Sequence, residues 1–87
     1  MDNTAARRKR LLHRSRYRGF LESDLLFERF VAAHLARLDE VQLTRLEALV
    51  EEDDESIWAW VTGREPVPAR HDHDVFALLR GEGGRGA

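Results

Sequence analysis

Apolar residues along this 87-residue chain recur at helical spacings, and this periodicity constrains the fold more than any other feature. No stretch alternates apolar and polar residues in the way that a half-buried strand does, and β-branched residues are few. The chain is also short enough to make one domain with a modest core. The sequence therefore predicts an all-α fold, a compact five-helix bundle in a single domain.

Glycine, proline and capping residues divide the chain into five helical segments. The predicted helices cover about residues 5–16, 21–35 and 40–51, a short fourth segment that contains Ile57, Trp58, Trp60 and Val61, and residues 72–80. Gly63 ends the fourth segment, and two prolines keep the link that follows it extended. Residues 1–4 are expected to be a flexible terminus, residues 5–80 the bundle domain, and residues 81–87, with four glycines, a disordered tail.

The second segment has the most continuous apolar pattern. Its predicted buried stripe consists of Leu21, Leu25, Leu26, Phe30 and Val31. At the start of the third segment, the spacing of Asp39 and Gln42 predicts a capping box. Aspartates are also predicted to cap the last two helices: Asp53 or Asp54 the fourth, and Asp72 or Asp74 the fifth.

The net charge of −2 conceals a strong asymmetry. Residues 1–21 contain seven Lys or Arg residues and one acidic residue, a net charge of +6. The remainder has seven basic and fifteen acidic residues, a net charge of −8. Such a basic arm either steers a binding partner towards the molecule or folds back on the acidic body.

The junction between the first two segments carries the main candidate site. Arg14, Arg16 and Arg18 lie at the end of one helix and Glu22 and Asp24 at the start of the next, where the helix dipoles favour each sign of charge. Gly19 fits a left-handed turn residue between them, so capping alone explains the pattern. Capping does not explain the aromatic pair at this turn, Tyr17 and Phe20, which together with the arginines also resembles an interface hot spot.

Catalytic and metal-binding templates find no match in the sequence. There is no cysteine, no phosphate-cradling glycine loop and no Ser/His/Asp set at suggestive positions. His71 and His73 alternate with aspartates, which is a weak metal signal without further ligands at a suitable spacing. Trp58 and Trp60 diverge by about 200° on a helix, so only one of them is predicted to be core. We expect no enzymatic activity, no metal and no tightly bound cofactor.

Two other classes of function remain open on composition and spacing alone. The basic residues from Arg7 to Arg18 could contact nucleic acid, although the acidic pI of 6.1 and the lack of a helix-turn-helix pattern argue against it. A regulatory module that silences a protein partner fits the same surface. No apolar run reaches the length of a spanning helix, and the N-terminal residues lack the apolar block of a signal peptide, so membrane insertion is not expected.

Two motifs in order resemble one known family. The stretch from Arg10 to Leu26 is similar to the signature of the FAD assembly factors, called flavinators in bacteria and succinate dehydrogenase assembly factor 2 in mitochondria. The hallmark Arg-Gly-x-x-Glu, followed by an acidic and two aliphatic residues, is matched by Arg18, Gly19, Glu22, Asp24, Leu25 and Leu26. The aromatic segment from Trp58 to Gly63, followed by Pro66, resembles the second motif of that family. The resemblance spans about residues 7–80.

The resemblance implies a protein that binds the flavoprotein subunit of succinate dehydrogenase, or of fumarate reductase in some bacteria. It implies that the factor promotes covalent FAD attachment to a histidine of that partner without catalysing the reaction itself. Partner contacts are expected from Arg16, Tyr17, Arg18, Gly19, Phe20, Glu22 and Asp24. The expected location is the bacterial cytoplasm, or the mitochondrial matrix in a eukaryote.

The chain departs from the family pattern at three positions of this motif. Ser23 stands where the family commonly has an apolar residue, and Phe20 where methionine is common. Tyr17 occupies a position where a second arginine is frequent. These departures affect the expected shape of the partner surface and leave the family resemblance intact.

Overall fold

The computed structural model describes residues 4–16 and 18–85, and within them the chain forms five α-helices and no strand. The helices are α1 (Thr4–Arg14), α2 (Leu21–His34), α3 (Glu40–Val50), α4 (Asp54–Val61) and α5 (Asp74–Arg85). Two single 3₁₀ turns, Leu35–Arg37 and Ala69–His71, precede α3 and α5. The predicted all-α, five-helix fold is confirmed.

The helices pack around one apolar core. Helix α2 packs against α4 and α5, and α3 packs against α1 and α5, so α5 joins the two halves of the bundle. Side chains from every helix enter this core, and the largest fully buried apolar ones are Leu11, Leu26, Phe27, Phe30, Leu43, Leu46, Leu49, Ile57, Leu79 and Val75. Trp60 is buried among them and Trp58 is partly exposed, as the divergence of the two rings predicts.

The buried face of α2 differs from the predicted stripe. Leu21 is 69% exposed and Leu25 is 43% exposed, so the prediction that both belong to the core is wrong. The buried residues of α2 are Ser23, Leu26, Phe27 and Phe30. The two phenylalanines bring more apolar area into the core than the leucines, and the helix turns the face that carries them inward.

Local capping explains where two helices begin. The Asp39 carboxylate accepts from Gln42 N (2.8 Å) and the Gln42 side chain accepts from Asp39 N (2.9 Å), which confirms the capping box of α3. Asp53, one of the two residues predicted for α4, accepts from Ser56 N at 2.7 Å.

Helix α5 begins differently from the prediction. The prediction that Asp72 or Asp74 caps this helix is wrong, because the ring of His73 accepts from Phe76 N at 3.2 Å. Asp74 is drawn instead to α3, where it accepts from Arg45 (2.7 Å) and Gln42 (2.9 Å). Asp74 Oδ1 also accepts from Val75 N at 2.8 Å, so this aspartate serves the first turn from inside α5 and not from the position before it.

The end of α5 also extends beyond the prediction. The sequence indicated a disordered tail from Gly81, but the helix continues to Arg85; residues 86–87 lie outside the described part of the chain. Packing explains the difference. Glu82 is buried with its carboxylate 3.1 Å from His34 of α2, and an added Cβ at Gly83 would lie 2.6 Å from Val61 Cγ1. Glycine lets α5 approach α4 closely enough to order the segment.

Glu52 connects the loop after α3 to the segment before α5. Its carboxylate accepts from Arg70 Nη2 (2.7 Å) and contacts the buried ring nitrogen His71 Nε2 (2.6 Å). The ring of His71 also packs against Trp60, with ring centroids 5.5 Å apart. The hydrogen bond from His71 and, after it, that from Arg70 hold the pKa of Glu52 below its ordinary value of 4.5.

We predict opposite effects of alanine at two glycines of α5. Gly83→Ala should lower the free energy of unfolding by about 1–3 kcal/mol relative to Gly81→Ala, because the new methyl overlaps Val61. An added Cβ at Gly81 meets no atom within 4 Å, so that variant should gain up to about 1 kcal/mol of helix propensity. Urea denaturation of both variants measures the difference, and equal stabilities would contradict the close packing of α5.

We also predict an acid-sensitive contribution from Glu52. Because the folded-state pKa is lowered, the unfolded chain binds the proton more tightly, and the stabilisation is complete above about pH 4.5 and is lost as the pH falls through the folded-state value. Glu52→Gln should lose about 1 kcal/mol at pH 7 and show a shallower loss of stability between pH 5 and pH 3. Glu55→Gln, at an exposed position, is the matched control, and parallel pH profiles for all three proteins would refute the prediction.

Candidate functional site

The corner between α1 and α2 is a tight turn. Helix α1 ends at Arg14, and the buried hydroxyl of Ser15 donates to Leu11 O at 2.7 Å. Gly19 has φ +89°, the left-handed conformation that its predicted role requires. An added Cβ at Gly19 would meet no atom within 4 Å, so the backbone angle, and not crowding inside the fold, demands glycine.

Arg18 lies inside this corner and is only 10% exposed at its side chain. Its Nε donates to Asp54 Oδ1 (2.5 Å), its Nη1 to Val50 O (3.1 Å) and its Nη2 to Glu52 O (2.9 Å). The guanidinium also lies over the ring of Phe27, 5.0 Å from the ring centre. The expectation that Arg18 offers its charge to a partner is therefore corrected: the charge is bound within the fold, and Arg18 positions the corner.

Two polar residues of α2 complete this network. Asp24, in the first turn of α2, accepts from the backbone N–H of Arg18 at 2.7 Å. Ser23 is fully buried, and its hydroxyl donates to Asp54 Oδ1 at 3.0 Å. The serine that departs from the family pattern thus shares the carboxylate that binds Arg18. A polar side chain is satisfied at this buried position because Asp54 is within its reach.

The remaining predicted residues differ in accessibility. Arg16, Gly19 and Glu22 are exposed, and Phe20 is half-buried in extended conformation immediately before α2. Neither Arg16 nor Glu22 forms an ion pair with any residue that the structure describes. Tyr17 lies outside the described residues. The corner therefore presents one cation, one carboxylate and an unobstructed glycine backbone to the surroundings.

An apolar ridge formed by Leu21 and Leu25 adjoins the corner, and we call it the α2 ridge. One shallow hollow beside it is lined by Arg16, Leu21, Asp24, Leu25 and Glu28. A second, on the other side of Leu25, is lined by Glu22, Leu25, Leu26, Arg29, Trp58, Thr62 and Gly83. The sequence analysis missed the ridge because it assigned both leucines to the core. The signal that could have found it is the helical face shared by Phe27 and Phe30, which leaves both leucines outside.

The described residues contain neither a metal-binding cluster nor a membrane-spanning helix. Over residues 4–16 and 18–85, no group of three or more His, Cys, Asp or Glu side chains is arranged to hold a metal ion. His71 and His73, the residues of the weak metal signal, are engaged with Glu52 and with the start of α5. In the same part of the chain, no helix is long and apolar enough to cross a membrane.

Comparison with known proteins identifies relatives across nearly the whole chain. Residues 9–82 match the model of a family described as the flavinator of succinate dehydrogenase. The mitochondrial succinate dehydrogenase assembly factor 2 of Drosophila virilis is 40% identical over 87% of this chain and 49% of its own length. The factor of Aedes aegypti is 40% identical over 84% of this chain and 47% of its own length. Assembly factor 2-B of Drosophila melanogaster is 38% identical over 85% of this chain and 49% of its own length. The chain thus spans about half the length of these curated relatives.

We predict that the two flanking arginines of the corner respond differently to lysine. Arg18→Lys should lose about 1–3 kcal/mol of unfolding free energy, because an ammonium cannot bind Asp54 and two carbonyls in the geometry of the guanidinium fork. Arg16→Lys, at an exposed position, should change stability by less than about 0.5 kcal/mol. Thermal and urea denaturation test this, and an Arg18→Lys protein as stable as Arg16→Lys would remove Arg18 from the role of anchor.

Proposed function

We propose that this chain, which belongs to the succinate dehydrogenase flavinator family, is an assembly factor for a flavoprotein. Its partner would be the flavoprotein subunit of succinate dehydrogenase, with that of fumarate reductase as a second candidate. Binding would promote covalent attachment of FAD to a histidine of that subunit. The single observation that carries the proposal is the exposed α2 ridge, which adjoins the turn of the Arg-Gly-x-x-Glu motif.

The ridge has the composition of an interface core. Leu21 and Leu25 lie one helical turn apart and expose adjoining apolar area. Exposed apolar area does not stabilise the isolated chain, whereas burying it would stabilise a complex. Glu22 lies between them in sequence, and the partly exposed Trp58 lines the hollow beside Leu25. Apolar and aromatic groups surrounded by charged ones are typical of the centre and rim of a protein–protein interface.

The residues of the corner would have different roles in this contact. Gly19 would allow the partner's backbone to approach closely, Phe20 would add apolar contact, and Glu22 and Arg16 would form charged contacts at the edge. Asp24 and Arg18 would hold the turn in shape, as the hydrogen bond from Arg18 N to Asp24 and that from Arg18 Nε to Asp54 support. A partner contact from Tyr17 stays a prediction from the sequence.

The proposed action is conformational and not catalytic. FAD would act in the partner, and this chain would hold the flavoprotein's domains in the arrangement that orders its flavin-linking residues. A shallow, mixed surface fits this role because it binds a partner without enclosing a reacting group. The relatives named above are mitochondrial, and we propose the mitochondrial matrix for a eukaryotic chain and the cytoplasm for a bacterial one.

We predict that the α2 ridge is required for binding and not for folding. Leu21→Ser and Leu25→Ser should each weaken binding to the purified flavoprotein subunit about tenfold or more, because each removes an anchor from the interface centre. The unfolding free energy should change by less than about 0.5 kcal/mol for Leu21→Ser, where the leucine is 69% exposed, and should fall by about 1 kcal/mol for Leu25→Ser, where it is 43% exposed. Isothermal titration calorimetry gives the affinities, and in-gel flavin fluorescence of the partner gives covalent FAD attachment.

Val41→Ser is the matched control for these variants. Val41 is 60% exposed and lies on α3, so the same loss of apolar area on another helix should leave binding and flavin attachment unchanged. Glu22→Ala should weaken binding while the fold persists, with a stability loss of about 0.3–1 kcal/mol because Glu22 lies in the first turn of α2. Full flavin attachment with both ridge variants and with Glu22→Ala would overturn the assignment of the site.

A further inference from the structure

The basic residues of the N-terminal arm divide into two groups in the structure. Four of them are bound to the body of the protein. Arg7 donates to Glu47 and Thr44, Arg8 to the carbonyls of Leu35 and Leu38, Arg14 pairs with Glu51, and Arg18 with Asp54. The partners of all four lie between residues 35 and 54, so this face of the arm folds back on the acidic body.

The other group faces outward. Lys9, Arg10 and Arg16 are exposed, and none of them has an ion-pair partner among residues 4–16 and 18–85. Exposed His13 lies one helical turn beyond Lys9. Four of the arm's seven cations thus hold α1 and the turn after it against the body. The outer face keeps the other three, which no ion pair in the described fold neutralises.

This outer face is continuous with the α2 ridge. Arg16 lines one hollow together with Lys9, Arg10 and His13 on α1. It also lines the hollow beside the ridge together with Leu21 and Leu25. A partner seated on the ridge would therefore reach the cations of α1 without crossing a neutral gap.

We propose that Lys9 and Arg10 on the outer face of α1, together with Arg16 in the turn after it, are the electrostatic half of the docking surface and bind an acidic patch on the flavoprotein. This proposal rests on the proposed function. It adds that the flavoprotein surface facing α1 is acidic and that the contact raises the association rate. Exposed cations that gain no internal partner attract an oppositely charged surface over about a Debye length. Such steering raises the association rate more than it slows dissociation.

The charges around the ridge favour a protein over a nucleic acid as the occupant. Glu22 and Glu28 are exposed beside Leu21 and Leu25, with no ion-pair partner in the described residues. A phosphate backbone presents uniform negative charge and would be repelled at this end of the surface. A protein can place acidic groups opposite α1 and basic or apolar groups opposite α2. The remainder of the chain, with its net charge of −8, adds to the repulsion of a polyanion.

The test compares two double charge reversals of equal size by stopped-flow association with the purified flavoprotein subunit. Lys9→Glu/Arg10→Glu reverses two cations of the proposed face. The control, Arg37→Glu/Arg64→Glu, reverses two exposed cations outside that face, which also have no ion-pair partner in the described residues. At low salt the first variant should associate about tenfold more slowly, and the difference should shrink at about 0.5 M salt. Its dissociation rate should change less than about twofold. The control should associate less than about threefold more slowly.

The outcomes separate this inference from the proposed function. Equal slowing by the two double variants would attribute the effect to net charge alone, and an unchanged rate for Lys9→Glu/Arg10→Glu would show that α1 does not take part; either overturns the inference. A duplex oligonucleotide that binds the wild type and not this variant, with flavoprotein association unaltered, would assign the face to nucleic acid. If the wild-type protein does not bind the flavoprotein at all, the proposed function itself fails. Lys9→Gln/Arg10→Gln should show an intermediate rate, which guards against a folding defect in the reversed protein.

Discussion

A single guanidinium holds the ends of three helices together. Arg18 donates to the carbonyl of Val50, the last residue of α3, to the carbonyl of Glu52 in the loop that follows, and to the carboxylate of Asp54, the first residue of α4. The last carbonyls of a helix have no partner within the helix, and they form the negative end of its dipole, so a buried cation is favourable there. Because Arg18 immediately precedes Gly19, the same contact fixes where the turn and the start of α2 lie. The geometry of the candidate site follows from this anchor.

Helix α1 depends on arginine to an unusual degree. Leu11 is its only buried apolar residue in the described structure, and one side chain supplies little of the burial that normally docks a helix. Arg7 and Arg8 compensate, since they bind a side chain of α3 and the carbonyls of the 3₁₀ turn before it. The basic arm is therefore a structural element on one face. The other face remains available for a partner.

Features set by neighbouring residues could be predicted from the sequence, and features set by distant contacts could not. The capping box of Asp39 and Gln42 and the left-handed Gly19 depend on a few adjacent residues, and both were predicted. The burial of Arg18 depends on a loop more than thirty positions away, which periodicity does not reveal. The exposure of Leu21 and Leu25 depends on how α2 is rotated in the bundle, and apolar counting alone assigns them to the core. The helical end of α5 depends on Gly83 against Val61, whereas glycine propensity alone argues for disorder.

The shared carboxylate of Asp54 has a consequence for how this surface can vary. Ser23 and Arg18 bind the same oxygen from two sides, and Arg18 in turn places the turn that precedes α2. A change at residue 23 to an apolar side chain alters the hydrogen bonding of Asp54, and a change at residue 54 leaves both donors unsatisfied. Positions 18, 23 and 54 are thus epistatic: the effect of replacing one depends on which residues occupy the other two. Grafting the exposed motif onto another helical scaffold would transfer its shape only if this buried triplet were transferred with it.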